Sequence, residues 1–274
     1  MVTALIIIGI LLFVFAVVWL FLVGTKRHPD MKKYKTVRYA HRGLHGDGVA
    51  ENSMTAFALA VREGYGIELD VRLSKDGELV VFHDDTLTRV AKIDGKVIDY
   101  TLEELGNFKL SDTSDTVPTF REVLDLVDGK VPLLVEIKED PGVDAVSKKC
   151  AEMLAEYKGD YIVESFNPLS LRNFARYLPA VPRGILSQNY MKEEKYRKPL
   201  YLALGALLTN CICRPSFIAY NGRDYKSLSL RLVRFLFRTP TLAWTIRSEE
   251  DEEALIHRGF DSVIFEGYRP EKRS

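Results

Sequence analysis

The chain has 274 residues, with 38 basic and 38 acidic side chains and zero formal net charge. This balance does not favour nucleic acid as a partner, because proteins that bind nucleic acid usually carry an excess of basic residues. At 47% hydrophobic content the chain can bury one large core or two small ones. The three cysteines, Cys150, Cys211 and Cys213, are odd in number and give no disulfide framework, which agrees with a reducing compartment.

Residues 4 to 23 are uninterrupted by any charge and are long enough to cross a bilayer as a helix. A cleaved signal peptide is the alternative, but no basic residue precedes the run and no small-residue cleavage site follows it. We therefore predict a single-pass transmembrane anchor over residues 1 to 24. The basic residues lie after the run, so the positive-inside rule places the remainder of the chain in the cytoplasm.

Residues 25 to 36 are predicted to be a basic juxtamembrane linker, and residues 37 to 274 are assigned to one domain. The basic side chains of the linker are Lys26, Arg27, Lys32, Lys33 and Lys35. They fit an ordinary flank that stops membrane translocation. They also fit contact with membrane lipid, in which each charge near anionic headgroups adds on the order of 1 kcal/mol.

The first part of the domain predicts a strand, a loop and a helix. Residues 37 to 40 are β-prone and lead into His41 and Arg42. After a glycine-rich loop, either Asn52 or Ser53 can cap a helix that ends at a glycine. The strand tip therefore carries a base and a cation.

Residues 66 to 73 alternate between apolar and polar side chains, which is the period of a strand. Glu68 and Asp70 are two positions apart and so point the same way. The polar run over residues 74 to 77 is too short for the crossover that parallel strands need. The next β-prone run should therefore return as the second strand of an antiparallel hairpin.

A turn over residues 74 to 77 would place Leu73 opposite Glu78 and Glu68 roughly opposite His83. Two carboxylates and a histidine would then be neighbours. Burying such acids is costly unless a metal ion or hydrogen bonds compensate. Taken singly, each piece also fits a solvated strand face or a polar turn, and only their combination indicates a site.

Eight β-type runs alternate with mostly helical patterns, and they begin near residues 37, 66, 132, 161, 183, 216, 241 and 262. This order predicts an α/β fold, a (β/α)8 TIM barrel preceded by one transmembrane helix. Active sites of such barrels lie at the C-terminal ends of the strands, where the polar residues named above fall. The apolar run from Leu200 to Leu208 is too short to span a membrane and predicts a buried or interfacial helix.

Three motifs resemble one known family. They are HRG at residue 41, ENS at residue 51 and ELDVRLSKDGELVVFHDDTLTR from residue 68. The glycerophosphodiester phosphodiesterase family has HRG, ENT, E-x-D with a KDG turn, and HD-x-x-L-x-R. The match runs in order through residue 268. Ser53 replaces the family's threonine, and Glu266 stands where the family more often has aspartate, so Glu266 is assigned no role.

The resemblance implies an enzyme that hydrolyses glycerophosphodiesters to an alcohol and glycerol 3-phosphate, with lysophospholipids as a second substrate class. It implies that His41 and His83 are catalytic, one as acid and one as base in an order left open. It also implies that Glu68, Asp70 and Glu136 bind one divalent cation. Their hard oxygen donors suit Mg²⁺ or Ca²⁺.

Four further residues are expected to contact the substrate. Arg42 and Lys138 would hold phosphate oxygens, although either could instead form a salt bridge to a ligand carboxylate. Phe166 and Trp244 resemble the family's aromatic residues at the mouth of the site, and they also fit core positions. Two other functions stay open, namely a related barrel phospholipase C or D acting on intact lipid, and a non-catalytic lipid-binding membrane protein.

Overall fold

The computed structural model of the chain describes residues 1–139 and 144–271. Residues 140–143 and 272–274, which the predicted domain includes, lie outside the described residues. Eight parallel strands form a closed barrel, because the first barrel strand pairs with both the second and the last. The predicted TIM-barrel fold is thus confirmed. In chain order the strands are β1 (Arg38–Ala40), β2 (Gly66–Leu73), β3 (Leu79–Val81), β4 (Leu133–Ile137), β5 (Tyr161–Ser165), β6 (Arg183–Ser187), β7 (Phe217–Asn221), β8 (Thr241–Ile246) and β9 (Ser262–Phe265).

Helices cover the outside of the barrel and precede it. They are α1 (Val2–Val23), α2 (Met31–Tyr34), α3 (Met54–Glu63), α4 (Thr88–Ala91), α5 (Leu102–Leu105), α6 (Phe120–Val127), α7 (Ala145–Glu156), α8 (Pro168–Tyr177), α9 (Pro199–Gly205), α10 (Asn210–Cys213), α11 (Leu228–Phe237) and α12 (Glu249–His257). Ser53, and not Asn52, caps α3 through a 3.1 Å hydrogen bond from the backbone N–H of Ala56. Gly64 ends α3 in the left-handed conformation at φ 69°.

The strand β3 lies outside the barrel and pairs with β2 as the predicted antiparallel hairpin. The predicted register is wrong by one residue, because Leu73 pairs with Leu79 and not with Glu78. The turn therefore contains residues 74 to 78. A one-residue slip matters, since it changes which side chains of the two strands face each other.

Local hydrogen bonds explain the longer turn. The Ser74 N–H donates to the Glu78 carbonyl at 2.9 Å, and the Ser74 hydroxyl accepts from the Glu78 N–H at 2.9 Å. Gly77 adopts φ 80°, which glycine tolerates without strain. Beyond the strands, the Phe82 N–H donates to the Asp70 carbonyl at 3.0 Å, so the chain stays beside β2 until His83.

The barrel encloses its own apolar core. Buried side chains from seven strands fill it, namely Tyr39, Leu134, Ile162, Leu186, Phe217, Leu242 and Ile264. A second, larger cluster lies between the strands and the surrounding helices. The polar layer described below lies towards the C-terminal ends of the strands.

The predicted linker, residues 25 to 36, packs against the barrel. Met31 and Tyr34 of α2 are buried with the interior side chains of the barrel. The Tyr34 hydroxyl donates to the carbonyl of Tyr161 at 3.0 Å. Tyr161 is the first residue of β5, so α2 closes the N-terminal end of the barrel.

The N-terminal helix α1 has 22 residues, none of them charged. Within the described residues it is the one helix long and apolar enough to cross a membrane, and a signal sequence would pass the same test. Its last residue, Val23, is buried, and the Val23 carbonyl accepts a 3.0 Å hydrogen bond from Asn210 of α10. The helix therefore meets the barrel beside α10.

Candidate active site

Three carboxylates meet at the C-terminal end of the barrel. Glu68 and Asp70 share one face of β2, and Asp70 pairs in register with Glu136 of β4. All three are buried, and one oxygen atom from each lies within 4.8 Å of the others. The structure thus brings together the three residues that the sequence predicts as metal ligands.

Burial and mutual repulsion make this acidic cluster unfavourable without added positive charge. Burial raises the pKa of Glu68 well above its ordinary value, and the charges of Asp70 and Glu136 raise it further. Burial also raises the pKa of Glu136 to about 7. For Asp70 burial acts in the same direction, but the charges of Lys138, His83 and Arg42 and the hydrogen bond from Asn52 together outweigh burial and lower the pKa. A divalent cation between these oxygens would compensate the buried charge, so the donor set fits a hard metal ion.

Lys138 lies against the acidic cluster. Its Nζ is 2.7 Å from Glu136 Oε1 and 3.1 Å from Asp70 Oδ1. Burial lowers the pKa of Lys138, but the two carboxylates outweigh burial and raise it, so the side chain is charged. These ion pairs match the alternative to phosphate binding, in which Lys138 forms salt bridges to the carboxylates of the predicted metal ligands.

The two predicted aromatic residues contact each other, and one of them lies near Lys138. Its Nζ is 5.9 Å from the centre of the Phe166 ring. The rings of Phe166 and Trp244 meet edge to face with their centres 5.5 Å apart. Both rings are only partly buried and pack on the upper side of the barrel core. The Lys138 ammonium therefore lies near both the acids and an aromatic ring.

His41 follows β1 and is held by a carboxylate from the far end of the chain. Its Nδ1 is 2.5 Å from Glu266 Oε2, and Glu266 follows β9, the strand that pairs with β1. Arg247 forms an ion pair with the same carboxylate. Burial lowers the pKa of His41, and the hydrogen bond to Glu266 partly offsets this effect.

His45 lies close to this pair. His41, His45 and Glu266 each offer an atom within 4.8 Å of the other two, which is a spacing that metal ions accept. His45 Nε2 is 3.9 Å from Glu266 Oε2, whereas His41 already occupies that oxygen at 2.5 Å. Arg247 holds the other oxygen. The group is therefore a hydrogen-bonded histidine–carboxylate pair with His45 as a neighbour.

Arg42 supports the acidic cluster with both its backbone and its side chain. It adopts φ 54°, which turns its N–H towards Glu68 Oε2 at 2.8 Å. Its guanidinium donates to Glu51 Oε1 at 2.8 Å, and its Nε lies 3.8 Å from Asp70 Oδ2. The cation predicted to bind phosphate thus lies directly over the predicted metal ligands.

Asn52 has a role that differs from the predicted cap. It is buried, and its Nδ2 donates to Asp70 Oδ2 at 2.8 Å. Its backbone N–H donates to the Arg42 carbonyl at 2.8 Å. The ENS motif therefore begins a helix through its serine and fixes Asp70 through its asparagine.

His83 is held in a similar way by the carboxylate that follows it in the chain. Its Nδ1 is 2.6 Å from Asp84 Oδ1, and Arg89 donates to the other oxygen of Asp84 at 2.6 Å. Arg89 also donates to both oxygens of Glu51, at 2.6 and 2.8 Å. Burial lowers the pKa of His83 to about 4, with the nearby Asp70 acting against it. Arg89 thereby connects the loop of His83 to that of Arg42.

Sequence reasoning missed three participants, namely Glu266, Arg89 and Glu164. Arg89 is the last residue of the HDDTLTR motif, and Glu266 follows the last strand. The position of each in the sequence could therefore have identified it. Glu164 of β5 pairs with Glu136, is buried, and has its pKa raised well above the ordinary value by burial and by the charge of Glu68. Its place in the barrel could be inferred only from the strand register.

The arrangement combines two kinds of chemistry. His41 and His83 have lowered pKa values and are therefore neutral imidazoles near pH 7. Their Nδ1 atoms face carboxylates, which leaves each Nε2 available for proton transfer. Arg42 and Lys138 provide positive charge around the acidic cluster. The site can accept an anionic substrate and move protons to and from it.

Comparison with known proteins identifies the family of the chain. The family model of the glycerophosphoryl diester phosphodiesterase family matches residues 41–267. A glycerophosphodiester phosphodiesterase from Caldanaerobacter subterraneus subsp. tengcongensis is 33% identical over 245 residues, which cover 84% of this chain and 93% of that protein.

Two solved structures share the fold. A glycerophosphodiester phosphodiesterase from Thermotoga maritima is 27% identical with a TM-score of 0.64, over 84% of this chain and 94% of its own. A phosphodiesterase from Oleispira antarctica, solved with the product sn-glycerol-3-phosphate, has a TM-score of 0.73 at 23% identity, over 85% and 94% of the two chains. The sequence matches and the barrel together place this chain in the glycerophosphoryl diester phosphodiesterase family.

Proposed function

We propose that this enzyme hydrolyses glycerophosphodiesters to an alcohol and glycerol 3-phosphate in a reaction that depends on one divalent cation. The observation that carries the proposal is the buried cluster of Glu68, Asp70 and Glu136, in which the charge of Asp70 acts on both His41 and His83. The presence of sn-glycerol-3-phosphate as product in the Oleispira antarctica structure agrees with this substrate class.

Glu68, Asp70 and Glu136 would hold Mg²⁺ or Ca²⁺. When bound, the cation supplies Lewis-acid charge that offsets the negative charge of the phosphodiester. Arg42 and Lys138 place further positive charge beside the same oxygens, Arg42 through a planar fork and Lys138 as a point charge. Asn52 keeps Asp70 oriented through its 2.8 Å hydrogen bond.

His41 and His83 would divide the proton transfers. One accepts the proton of the nucleophile, which is the neighbouring glycerol hydroxyl or water, and the other protonates the alkoxide as its P–O bond breaks. Attack by the hydroxyl would give a cyclic phosphodiester, which water would then open to glycerol 3-phosphate. Glu266 and Asp84 accept from Nδ1 and so hold each ring with Nε2 towards the substrate. Phe166 and Trp244 would contact the glycerol or the alcohol group.

Lysophospholipids are the proposed second substrate class. A cavity of about 530 Å³ lies beside Phe166, and its lining is mostly apolar, with Leu169, Leu200, Tyr201 and Leu204 among the lining residues. Such a cavity can take up an acyl chain while the phosphodiester group lies over the acidic cluster.

The proposed cellular arrangement has an anchor over residues 1–24, a basic segment over 25–36 and the catalytic domain from 37 onwards, on the cytoplasmic side of the membrane. The basic residues after α1 support this orientation. A C-terminal tag should resist protease added to intact cells. Digestion of the tag from outside would contradict the orientation.

The activity is tested with glycerophosphocholine and glycerophosphoglycerol, with glycerol 3-phosphate as the measured product. We expect a chelator to abolish turnover and Mg²⁺ or Ca²⁺ to restore it. His41→Ala and His83→Ala should each lower kcat roughly 10²- to 10⁴-fold. The exposed His257 gives a matched control, and His257→Ala should leave kcat unchanged.

Two results would contradict the proposal. One is activity that persists with chelator or in both histidine variants. The other is hydrolysis of phosphatidylinositol without hydrolysis of glycerophosphodiesters, which would identify a phospholipase that acts on intact lipid. Tight lipid binding without turnover would instead indicate a binding protein.

A further inference from the structure

The helix α11 is apolar on two faces. Leu230 and Val233 are buried in the core between strands and helices. On the outside Leu228 and Phe235 are 68% and 80% exposed, and Leu232 and Leu236 are exposed as well. The spacing of these four residues places them on one side of the helix. A helix whose only partner is the barrel would carry polar residues there.

Basic residues surround this exposed apolar face. A cavity of about 670 Å³ runs beside it and is lined by Lys35, Arg231, Arg234, Arg238 and Arg258, together with Leu232 and Phe235. The acid in the lining is Asp261, and its carboxylate is paired with Lys35 at 2.9 Å. The face therefore combines large apolar side chains with an excess of positive charge.

The face lies next to the point where α1 ends. Thr25 and Thr239 share a 2.6 Å hydrogen bond between their hydroxyl groups. The Arg27 guanidinium donates to the carbonyl of Phe237, the last residue of α11, at 3.4 Å. An apolar helix long enough to cross a membrane thus meets the barrel at the C-terminal end of α11.

The exposed apolar surface continues from α11 to the active site. Leu202 of α9 is exposed, and it lines a cavity of about 460 Å³ together with Leu228 of α11. Leu200, which is 62% exposed, lines the cavity beside Phe166. The outer leucines of α9 therefore join the face of α11 to the mouth of the site.

We propose that α9 and α11 form a lipid-binding face that holds the barrel against an anionic bilayer surface. Leucine and phenylalanine side chains would enter the boundary between headgroups and acyl chains, while Arg231 and Arg238 would reach the lipid phosphates. This seating orients the mouth of the active site towards the bilayer, in addition to the tether that α1 provides. It does not depend on the catalytic assignments.

A second copy of the chain fits this face less well than a bilayer does. A symmetric dimer would place the arginine-rich face of one protomer against the same face of its partner. Like charges opposed in that way cost free energy, and within the described part of the lining Asp261 alone is acidic. An anionic bilayer surface matches both the exposed apolar side chains and the positive charge of the face.

The proposal is tested by the depth of a spin label in the full chain, reconstituted in phosphatidylcholine vesicles with and without phosphatidylglycerol. The half-buried Cys211 is first replaced by Cys211→Ser in every sample. Labels are then attached at Phe235→Cys and, as the matched control, at Glu156→Cys on the exposed surface of α7. Accessibility to oxygen, which concentrates in lipid, is compared with accessibility to a water-soluble nickel chelate.

We expect the label at position 235 to lie in lipid in the anionic vesicles and the label at position 156 to remain in water. Equal exposure of both labels to the nickel chelate would overturn the proposal. Spin–spin broadening at position 235 that grows with protein density would also overturn it, since a second copy of the chain would then cover the face.

A charge-reversal pair tests the basic residues separately. Arg231→Glu with Arg238→Glu should move the label at position 235 towards water in anionic vesicles. The matched control, Lys130→Glu with Lys148→Glu, reverses two exposed charges elsewhere and should leave the label in lipid. Thermal melts monitored by circular dichroism exclude unfolding. An unchanged label depth in the arginine variant would contradict the role of anionic lipid.

Discussion

Glu266 lies 225 positions from His41 in the chain and raises the proton affinity that burial lowers. Burial lowers the pKa of His41, and the Glu266 carboxylate raises it because it stabilises the imidazolium. Glu266→Gln removes the negative charge and should lower the pKa of His41 further. We therefore expect the limb of the pH profile of kcat/KM that His41 controls to move to lower pH, whether His41 acts as acid or as base.

A substitution of Arg247 should shift the pKa of His41 in the opposite direction. Its guanidinium forms an ion pair with Glu266 and weakens the effect of that carboxylate on His41. In Arg247→Gln the uncompensated carboxylate should raise the pKa of His41, and the same limb should move to higher pH. A profile that moves in the same direction in both variants would contradict this electrostatic coupling.

At the scale of single residues, sequence reasoning named the charged groups but not their partners. Glu68 and Asp70 could be paired because both lie on one strand with a period of two. The contact of His41 with Glu266 requires the barrel to close, which brings β1 beside β9, and no local pattern encodes that distance. The link from Arg89 to Glu51 likewise depends on two loops that meet only in the folded chain.

At the scale of elements, the local sequence pattern predicted the positions of the strands but not the register of the hairpin. Eight strand starts were predicted within one residue of those observed. The hairpin register was off by one, because Ser74 closes a five-residue turn through its side chain. Turn length is decided by such hydrogen bonds, and apolar alternation alone does not reveal them.

Gly184 of β6 allows a large side chain into the barrel core. It pairs with Phe217 of β7, and a Cβ atom added at Gly184 would collide with the Phe217 ring. Because that ring is fully buried, Gly184→Ala should destabilise the protein by about 1 to 3 kcal/mol. Urea unfolding measures this loss. The double variant Gly184→Ala with Phe217→Leu should be less destabilised than the two single effects added together, and simple additivity would contradict the collision.

At the scale of the whole molecule, the segment between α1 and the barrel belongs physically to the barrel. Composition favoured a basic linker, because five of its twelve residues are cations. The apolar members Met31 and Tyr34 are instead buried against the interior of the barrel. Sequence pattern could not show this, since α2 has only four residues and is too short to display helical periodicity.

Because α2 closes the N-terminal end of the barrel, removing α2 should destabilise the domain. A chain that begins at Thr25 keeps Met31 and Tyr34, whereas a chain that begins at Val37 loses both and leaves the N-terminal end of the barrel open. Both lack α1, so they differ only in this segment. We expect the shorter chain to be less stable by on the order of 3 kcal/mol in urea unfolding, from the lost apolar burial. Met31→Ala with Tyr34→Ala in the longer chain should reproduce most of that loss, and equal stability of the two shortened chains would show that α2 contributes nothing to the barrel.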